Sequence, residues 1–97
     1  MPYTLILDLG SAKPAKGMYF VPRATGGQVP KDIEVFKSDN NTDWVSIGTF
    51  QIGSGPGVRN NYNFPATITN RYYKIIIKNN WSNNSDASLA ELNIIQP

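Results

Sequence analysis

Short runs of β-branched and aromatic residues, separated by clusters of asparagine, glycine and proline, make up almost the whole chain. Asparagines cluster at 40–41, 60–63 and 79–84, and the sequence holds eight glycines and seven prolines. Residues of these types end strands and form turns. No segment of helical length places apolar residues at spacings of three and four, as a helix packed on a core requires. The sequence therefore predicts an all-β domain with antiparallel strands.

The alternation of apolar and polar residues predicts seven strands, at 3–9, 16–21, 32–38, 43–50, 63–68, 71–78 and 89–95. In the strongest of them, Tyr73, Ile75 and Ile77 share one face. Gly48 predicts a bulge, and Pro65 favours an edge position or a strand end because proline has no backbone N–H to donate. Seven short strands with apolar faces predict two sheets packed as a sandwich, with Trp44 in the core.

Several classes of function are excluded by residues that the chain lacks. It contains no cysteine and no histidine, so disulfide scaffolds, thiolate metal sites and histidine-dependent catalysis are excluded. Nine basic and seven acidic residues are scattered over 97 positions, which argues against nucleic acid as a partner. The apolar runs are too short to cross a bilayer. We therefore predict one domain over residues 1–97, with a binding role favoured over catalysis.

Local patterns along the chain occur in a characteristic order. They are DLG at 8–10, YFVPR at 19–23, PKDIEV at 30–35, SDNNTDW at 38–44, GTF at 48–50, RYYKI at 71–75 and SLAEL at 88–92. As an ordered set, they resemble the coagulation factor V/VIII type C, or discoidin, domain family. The likeness is greatest to bacterial carbohydrate-binding modules of family 32, which are attached to glycoside hydrolases such as sialidases, hexosaminidases and chitobiases.

The resemblance implies a β-sandwich of the jelly-roll type found in galactose-binding domains. It also implies further N-terminal strands before the DLG segment, so the sequence is predicted to be an N-terminally truncated form of the domain. Missing strands would leave part of a sheet uncovered and open to self-association. A bacterial module of this kind implies an extracellular, periplasmic or cell-surface location, with any export signal on a longer precursor.

Trp81 is the leading candidate for a ligand contact. It lies in the polar run 79–84, between two predicted strands, where an exposed flat ring is expected. Such a ring can stack on the C–H face of a pyranose, while neighbouring amides such as that of Asn80 bond its hydroxyls. The family also places a stacking aromatic residue in this loop. The alternative is that Trp81 folds back to cap one end of the sandwich.

Three further residues are candidates for the same site. Arg23 follows a predicted strand end, and its planar fork suits adjacent hydroxyls or a carboxylate. The resemblance implies that an arginine at this position belongs to the sugar site, and a salt bridge with Asp32 is the alternative. Arg59 and Asn61 are lesser candidates on the glycine-rich stretch 53–61, which lacks the spacing of a phosphate-binding loop.

The resemblance also implies a structural calcium site. Its ligands would include the carboxylate of Glu91 and the backbone carbonyl of Ala90. The remaining oxygens would come from the N-terminal segment that this sequence lacks. No cofactor is otherwise required. A solvent-facing strand carboxylate is the alternative for Glu91.

The leading hypothesis is a noncatalytic module that targets an attached glycoside hydrolase to galactose- or N-acetylhexosamine-containing glycans. The alternative is a discoidin domain that docks on a protein. Docking on a membrane is disfavoured, because the loops are polar apart from Trp81 and carry little basic charge. Catalysis is rejected, because the seven carboxylates form no recognisable pair.

Overall fold

The structure, a computed structural model, describes residues 2–24, 28–82 and 87–97. These residues form five strands: β1 (Tyr3–Val21), β2 (Asp32–Ser38), β3 (Val45–Gln51), β4 (Asn60–Ile77) and β5 (Glu91–Ile95). The strands lie in one sheet in the order β3-β2-β4-β1-β5, and every neighbouring pair is antiparallel. The predicted all-β class is confirmed. In the described part of the chain, no helix is long and apolar enough to cross a membrane.

Two strands are much longer than predicted, because each runs through a bend. The predicted strands 3–9 and 16–21 are joined in β1, and 63–68 and 71–78 are joined in β4. The residues at the bend resemble strand ends in sequence, yet Lys13 still pairs with Asn70. Asn70 is buried there, and its side-chain amide donates to Asp39 Oδ1 at 2.8 Å. The buried polar group is thereby satisfied, so the strand continues.

The long strands divide the sheet into two layers. In the first layer, residues 3–8 of β1 and 72–77 of β4 pair beside β2 and β3. In the second layer, residues 60–70 of β4 and 13–21 of β1 pair beside β5. The layers face each other: the Phe50 ring of the first lies 5.0 Å from the Tyr62 ring of the second. Both rings pack against the same buried core, so the predicted sandwich is confirmed.

The central strands fill this core with the residues that their alternation predicts. Tyr73, Ile75 and Ile77 of β4 are buried, as are Ile33 and Val35 of β2. Strand β2 begins and ends at its predicted residues. Alternation places these side chains on one face, and the facing layer removes that face from water.

Both irregularities predicted in the strands are found in the structure. The pairing of β2 with β3 shifts between Ser46 and Gly48, and Gly48 has a φ of +149°, so the bulge is confirmed. Pro65 lies within β4 rather than at its end, but among the described strands residues 60–70 of β4 pair with β1 alone, so Pro65 has the predicted edge position. It stands opposite the register shift between Ala15 and Gly17, where a missing N–H breaks no regular ladder.

Trp44 is not part of the core, and the prediction that it lies there is wrong. Its ring is partly buried, and the Lys74 ammonium lies 4.8 Å from the ring centre. The same ammonium lies 4.7 Å from the ring centre of Phe36, on the face of β2 that points away from the core. The indole is therefore covered by the Lys74 side chain on the outside of the sheet.

Candidate functional site

The loops that carry Arg23 and Trp81 meet at one end of the sandwich. We call this the loop end; its described residues are 22–24, 28–31, 52–59, 78–82 and 87–90. Backbone hydrogen bonds join these segments, with Lys31 N–H donating to the Asn79 carbonyl and Ile52 N–H donating to the Lys31 carbonyl. Gly57 N–H donates to the Pro22 carbonyl at 3.1 Å. The strand ends thus bring together loops that are far apart in sequence.

Trp81 lies at the loop end with its ring held in one orientation. Its backbone N–H donates to the Val29 carbonyl at 3.0 Å, and its indole N–H donates to the Ile52 carbonyl at 2.7 Å. The residue is 40% exposed, which confirms the predicted surface position of the aromatic ring. The Lys31 ammonium lies 4.8 Å from the ring centre. We call Val29, Lys31, Ile52 and Trp81 the Trp81 cluster.

The two asparagines before Trp81 bond to neighbouring segments and hold the loop in place. Asn79 Oδ1 accepts the Asp32 N–H, and Asn79 Nδ2 donates to Asp32 Oδ2, both at 2.9 Å. Asn80 forms a β-bridge with Pro30 and is only 4% exposed. Its side chain therefore lies inside the molecule, away from where a ligand in solution would approach.

Arg23 is exposed on the segment that follows β1. Within the described ranges, it makes no hydrogen bond or ion pair, and the Asp32 carboxylate suggested as its partner is bonded to Asn79 instead. The Gly57–Pro22 hydrogen bond places the glycine-rich loop directly beside this segment. The guanidinium is thus available to solvent at the loop end.

Arg59 and Asn61 lie in a different cluster, on the outer face of the second layer. The Arg59 guanidinium carbon lies 4.0 Å from the ring centre of Tyr19, and Arg59 Nε donates to Asn61 Oδ1 at 2.9 Å. The Tyr19 hydroxyl donates to Glu91 Oε1 at 2.8 Å. This hydrogen bond raises the pKa of Tyr19 above its ordinary value, because the neutral phenol is the donor.

Sequence reasoning missed Tyr19 as a surface residue. It stands in the apolar run 18–21, beside the fully buried Met18 and Phe20. Strict alternation along β1 is the signal that could have found it, because Tyr19 must face away from its two buried neighbours.

The described residues do not by themselves make a calcium site. Glu91 is exposed and accepts the Tyr19 hydroxyl, and Ala90 N–H donates to the Val21 carbonyl at 2.8 Å. Among the described residues, no three acidic side chains come together as metal ligands. Calcium binds six to eight oxygens, so this carboxylate and one carbonyl fall well short of a site.

Comparison with known proteins bears on the fold more than on the ligand. No protein-family model and no curated protein matches the sequence. Among solved structures, the C-terminal domain of a chitobiase from Bacteroides fragilis matches with a TM-score of 0.81 and 27% identity. That match covers 98% of this chain and 63% of the chitobiase domain.

Two carbohydrate-binding modules from Clostridium perfringens match equally well in structure. One is a family 32 module of a family 89 glycoside hydrolase, in complex with GalNAc-β-1,3-galactose. It matches with a TM-score of 0.82 and 21% identity, over 97% of this chain and 66% of the module. The other is the family 32 module of NanJ in complex with galactose, with a TM-score of 0.81 and 22% identity over the same shares of the two chains. The chain thus spans about two thirds of these structures. The resemblance to discoidin-like family 32 modules is confirmed at the level of the fold.

Proposed function

We propose that this chain is a noncatalytic carbohydrate-binding module for galactose- or N-acetylhexosamine-containing glycans. The observation that carries the proposal is the Trp81 ring, 40% exposed and held in place by hydrogen bonds to Val29 and Ile52. An aromatic face that is already oriented loses little conformational freedom when a sugar stacks on it. Solved modules of the same fold hold galactose or GalNAc-β-1,3-galactose, which supports this class of ligand.

In the proposed complex, the apolar C–H face of one sugar stacks on Trp81. The Lys31 ammonium lies over the ring, 4.8 Å from its centre, so the sugar is proposed to displace this flexible side chain, whose ammonium then donates to hydroxyls at the edge of the sugar. Arg23 is the second proposed donor, because its fork can bond two adjacent hydroxyls. Asn80 is left out of the proposed site because it is buried. Arg59 and Asn61 contact Tyr19, away from the stacked sugar.

An open site with one ring and two cationic donors implies weak binding of a single sugar. A dissociation constant near 1 mM corresponds to about −4 kcal/mol, which is in the range expected for a few solvent-exposed contacts. Such modules gain useful affinity when several act together on a polymer or cell surface. We therefore propose that the chain works as part of a longer bacterial glycoside hydrolase outside the cell, and brings that enzyme to its glycan.

The test is a two-dimensional NMR titration with galactose, N-acetylgalactosamine, N-acetylglucosamine and lactose, each with and without calcium. Saturable shifts of the Trp81 indole and the Arg23 amide are expected with at least one sugar. Trp81→Ala should weaken binding at least about tenfold, because stacking of this kind contributes roughly 1 kcal/mol beyond its buried area. Trp44→Ala is the matched control, because Trp44 lies in the turn between β2 and β3 at the opposite end, with its indole against Lys74, and it should leave affinity unchanged.

A well-dispersed spectrum that no sugar perturbs would overturn the proposal and favour protein docking instead. Equal losses in the two tryptophan variants would also overturn it, because the effect would then be structural. Trp81→Phe separates the two roles of the indole. It keeps a stacking ring and loses the hydrogen bond to Ile52, so it should retain most of the sugar affinity.

A further inference from the structure

Three polar side chains form a row across the second layer. Asn61 on β4 pairs with Tyr19 on β1, and Tyr19 pairs with Asn93 on β5. Residues in register across adjacent strands point to the same side of the sheet. Tyr19 stands between the fully buried Met18 and Phe20, so the row lies on the outer side. Two strand spacings make the row roughly 10 Å long.

The ring at the centre of the row is held by contacts on two sides. The Arg59 guanidinium carbon lies 4.0 Å from the Tyr19 ring centre, and the Tyr19 hydroxyl donates to Glu91 Oε1 at 2.8 Å. Arg59 is itself oriented by Asn61, which accepts its Nε–H at 2.9 Å. The aromatic ring, the guanidinium and the carboxylate therefore keep one arrangement without a ligand, which lowers the entropy cost of binding.

Many hydrogen-bonding groups on this surface are left for a ligand. Among the described residues, Arg59 uses only its Nε–H, and the Nδ2 groups of Asn61 and Asn93 donate to no protein acceptor. Asn93 Oδ1 accepts the N–H of Ile94, so this side chain offers donors. The charges of Arg59 and Glu91 cancel. The surface is therefore suited to a neutral ligand with many hydroxyl groups.

Gly17 lets β1 and β4 approach each other closely beside the ring. It occupies the next outward position on β1, two residues before Tyr19, and it pairs with Asn63 and Ile95. A Cβ added there would collide with the Tyr62 carbonyl oxygen, so only glycine fits. Gly17 is itself buried, so the exposed groups of this surface are the side chains of the row and of Asn63.

We propose that this surface, which we call the Tyr19 face (Tyr19, Arg59, Asn61, Asn63, Glu91 and Asn93, with Gly17 between them), is a second glycan-binding surface. It takes a neutral oligosaccharide of at least two residues, laid along the row across β4, β1 and β5. The ligand class rests on the proposed function. The surface itself is separate from the Trp81 cluster, and its row is too long to be filled by a single sugar.

The test compares a monosaccharide with an oligosaccharide on the intact chain. Galactose should shift the Trp81 indole and the Arg23 amide, whereas a linear β-linked tetrasaccharide of galactose should also shift the amides of Tyr19, Asn61 and Asn93. Arg59→Ala should weaken tetrasaccharide binding about tenfold, since hydrogen bonds from a charged donor contribute roughly 1.5–3 kcal/mol. Its affinity for galactose should stay within about twofold of the wild type.

Arg71→Ala is the matched control. Arg71 is also partly exposed, donates through Nε to a side-chain oxygen, and lies 4.8 Å from a tyrosine ring centre. It should bind both sugars as the wild type does. The inference is overturned if tetrasaccharide shifts stay near Trp81, or if the two arginine variants behave alike, and in either case the proposed function still stands. A wild-type chain that binds neither sugar overturns both.

Discussion

Two paired strand segments with the same alternating pattern differ in how far their apolar side chains are buried. Residues 72–77 of β4 pair in antiparallel register with residues 3–8 of β1, so that Ile75 faces Leu5. Ile75 is fully buried, whereas Leu5 is 37% exposed and Ile6 is 48% exposed. The β4 segment lies between β1 and β2, and among the described strands the β1 segment is paired on one side only. Apolar alternation predicts a strand, and the position of that strand in the sheet decides what it buries.

The open side of β1 borders a groove of about 480 Å³. Its apolar lining comes from Tyr3 and Leu5 of β1, Ile77 of β4, Leu92 of β5 and Leu89 just before β5. Among the described strands, residues 4–8 of β1 have a neighbouring strand on one side only, so this edge presents both backbone groups and apolar side chains. An edge of this kind is a template for pairing with another chain.

The largest expected effect is the difference in stability lost when an apolar residue is truncated in each of the two segments. Ile75→Ala should lower the free energy of unfolding by about 3 kcal/mol, because it leaves a cavity in a fully packed core. Leu5→Ala should cost about 1 kcal/mol or less, because much of that side chain already contacts water. Urea denaturation of the two variants measures the difference. Equal losses would mean that β1 is covered in solution.

A smaller effect concerns the association that the sequence predicts. We expect the sedimentation coefficient of the wild type to rise with concentration as edges of β1 pair between copies. Ile6→Lys should suppress this rise, because a charged residue on an exposed edge opposes pairing. Val58→Lys is the control: Val58 is 58% exposed but lies in a loop, so association should persist. A wild type that stays monomeric at all concentrations contradicts the prediction.

The smallest effect concerns the contact that joins the two segments at the bend. Asp8 Oδ1 accepts Arg71 Nε–H at 2.8 Å and also Gly10 N–H at 2.8 Å. These bonds, that of Arg71 first, lower the pKa of Asp8 from its ordinary 3.8. The stabilisation is therefore present above that pH and is lost as pH falls through the lower folded-state pKa.

Asp8→Asn should flatten the acid side of the stability curve. Because the pair is exposed, the change should be small, and thermal unfolding followed from neutral pH down to strong acid is the measurement. Arg71→Gln should flatten the same region, because it removes the other partner. A variant curve that falls as steeply as that of the wild type would show that another carboxylate controls the acid limb.

Much of the local structure was predictable from the sequence, because strand alternation depends only on neighbouring residues. The bounds of β2, the buried face of Tyr73, Ile75 and Ile77, and the bulge at Gly48 follow from it. The exposure of Trp81 was also predictable, because its neighbours are polar. The covered position of Trp44 was not, because Lys74 reaches it from another strand.

The residues of the candidate sites also divide into those that the sequence predicted and those that it could not predict. Composition favours a binding role, and the loop sequences predict Trp81 and Arg23 as ligand contacts. The sequence could not distinguish Asn80, which is buried, from the adjacent Asn79, which bonds Asp32. It also could not join Tyr19 to Glu91, 72 positions away, because that contact exists only once β1 and β5 pair.

The sequence by itself determined that this chain forms antiparallel strands, which side of each central strand is apolar, and which loop carries an exposed aromatic ring. Those properties arise from a two-residue backbone period and from local composition. Only the tertiary structure decided that β1 and β4 run through the bend, that β1 begins on an edge, and that Tyr19 stands among Arg59, Asn61 and Glu91. The reason is physical: burial and cross-strand neighbours depend on which distant segments pair, and that choice is made by the whole sheet at once.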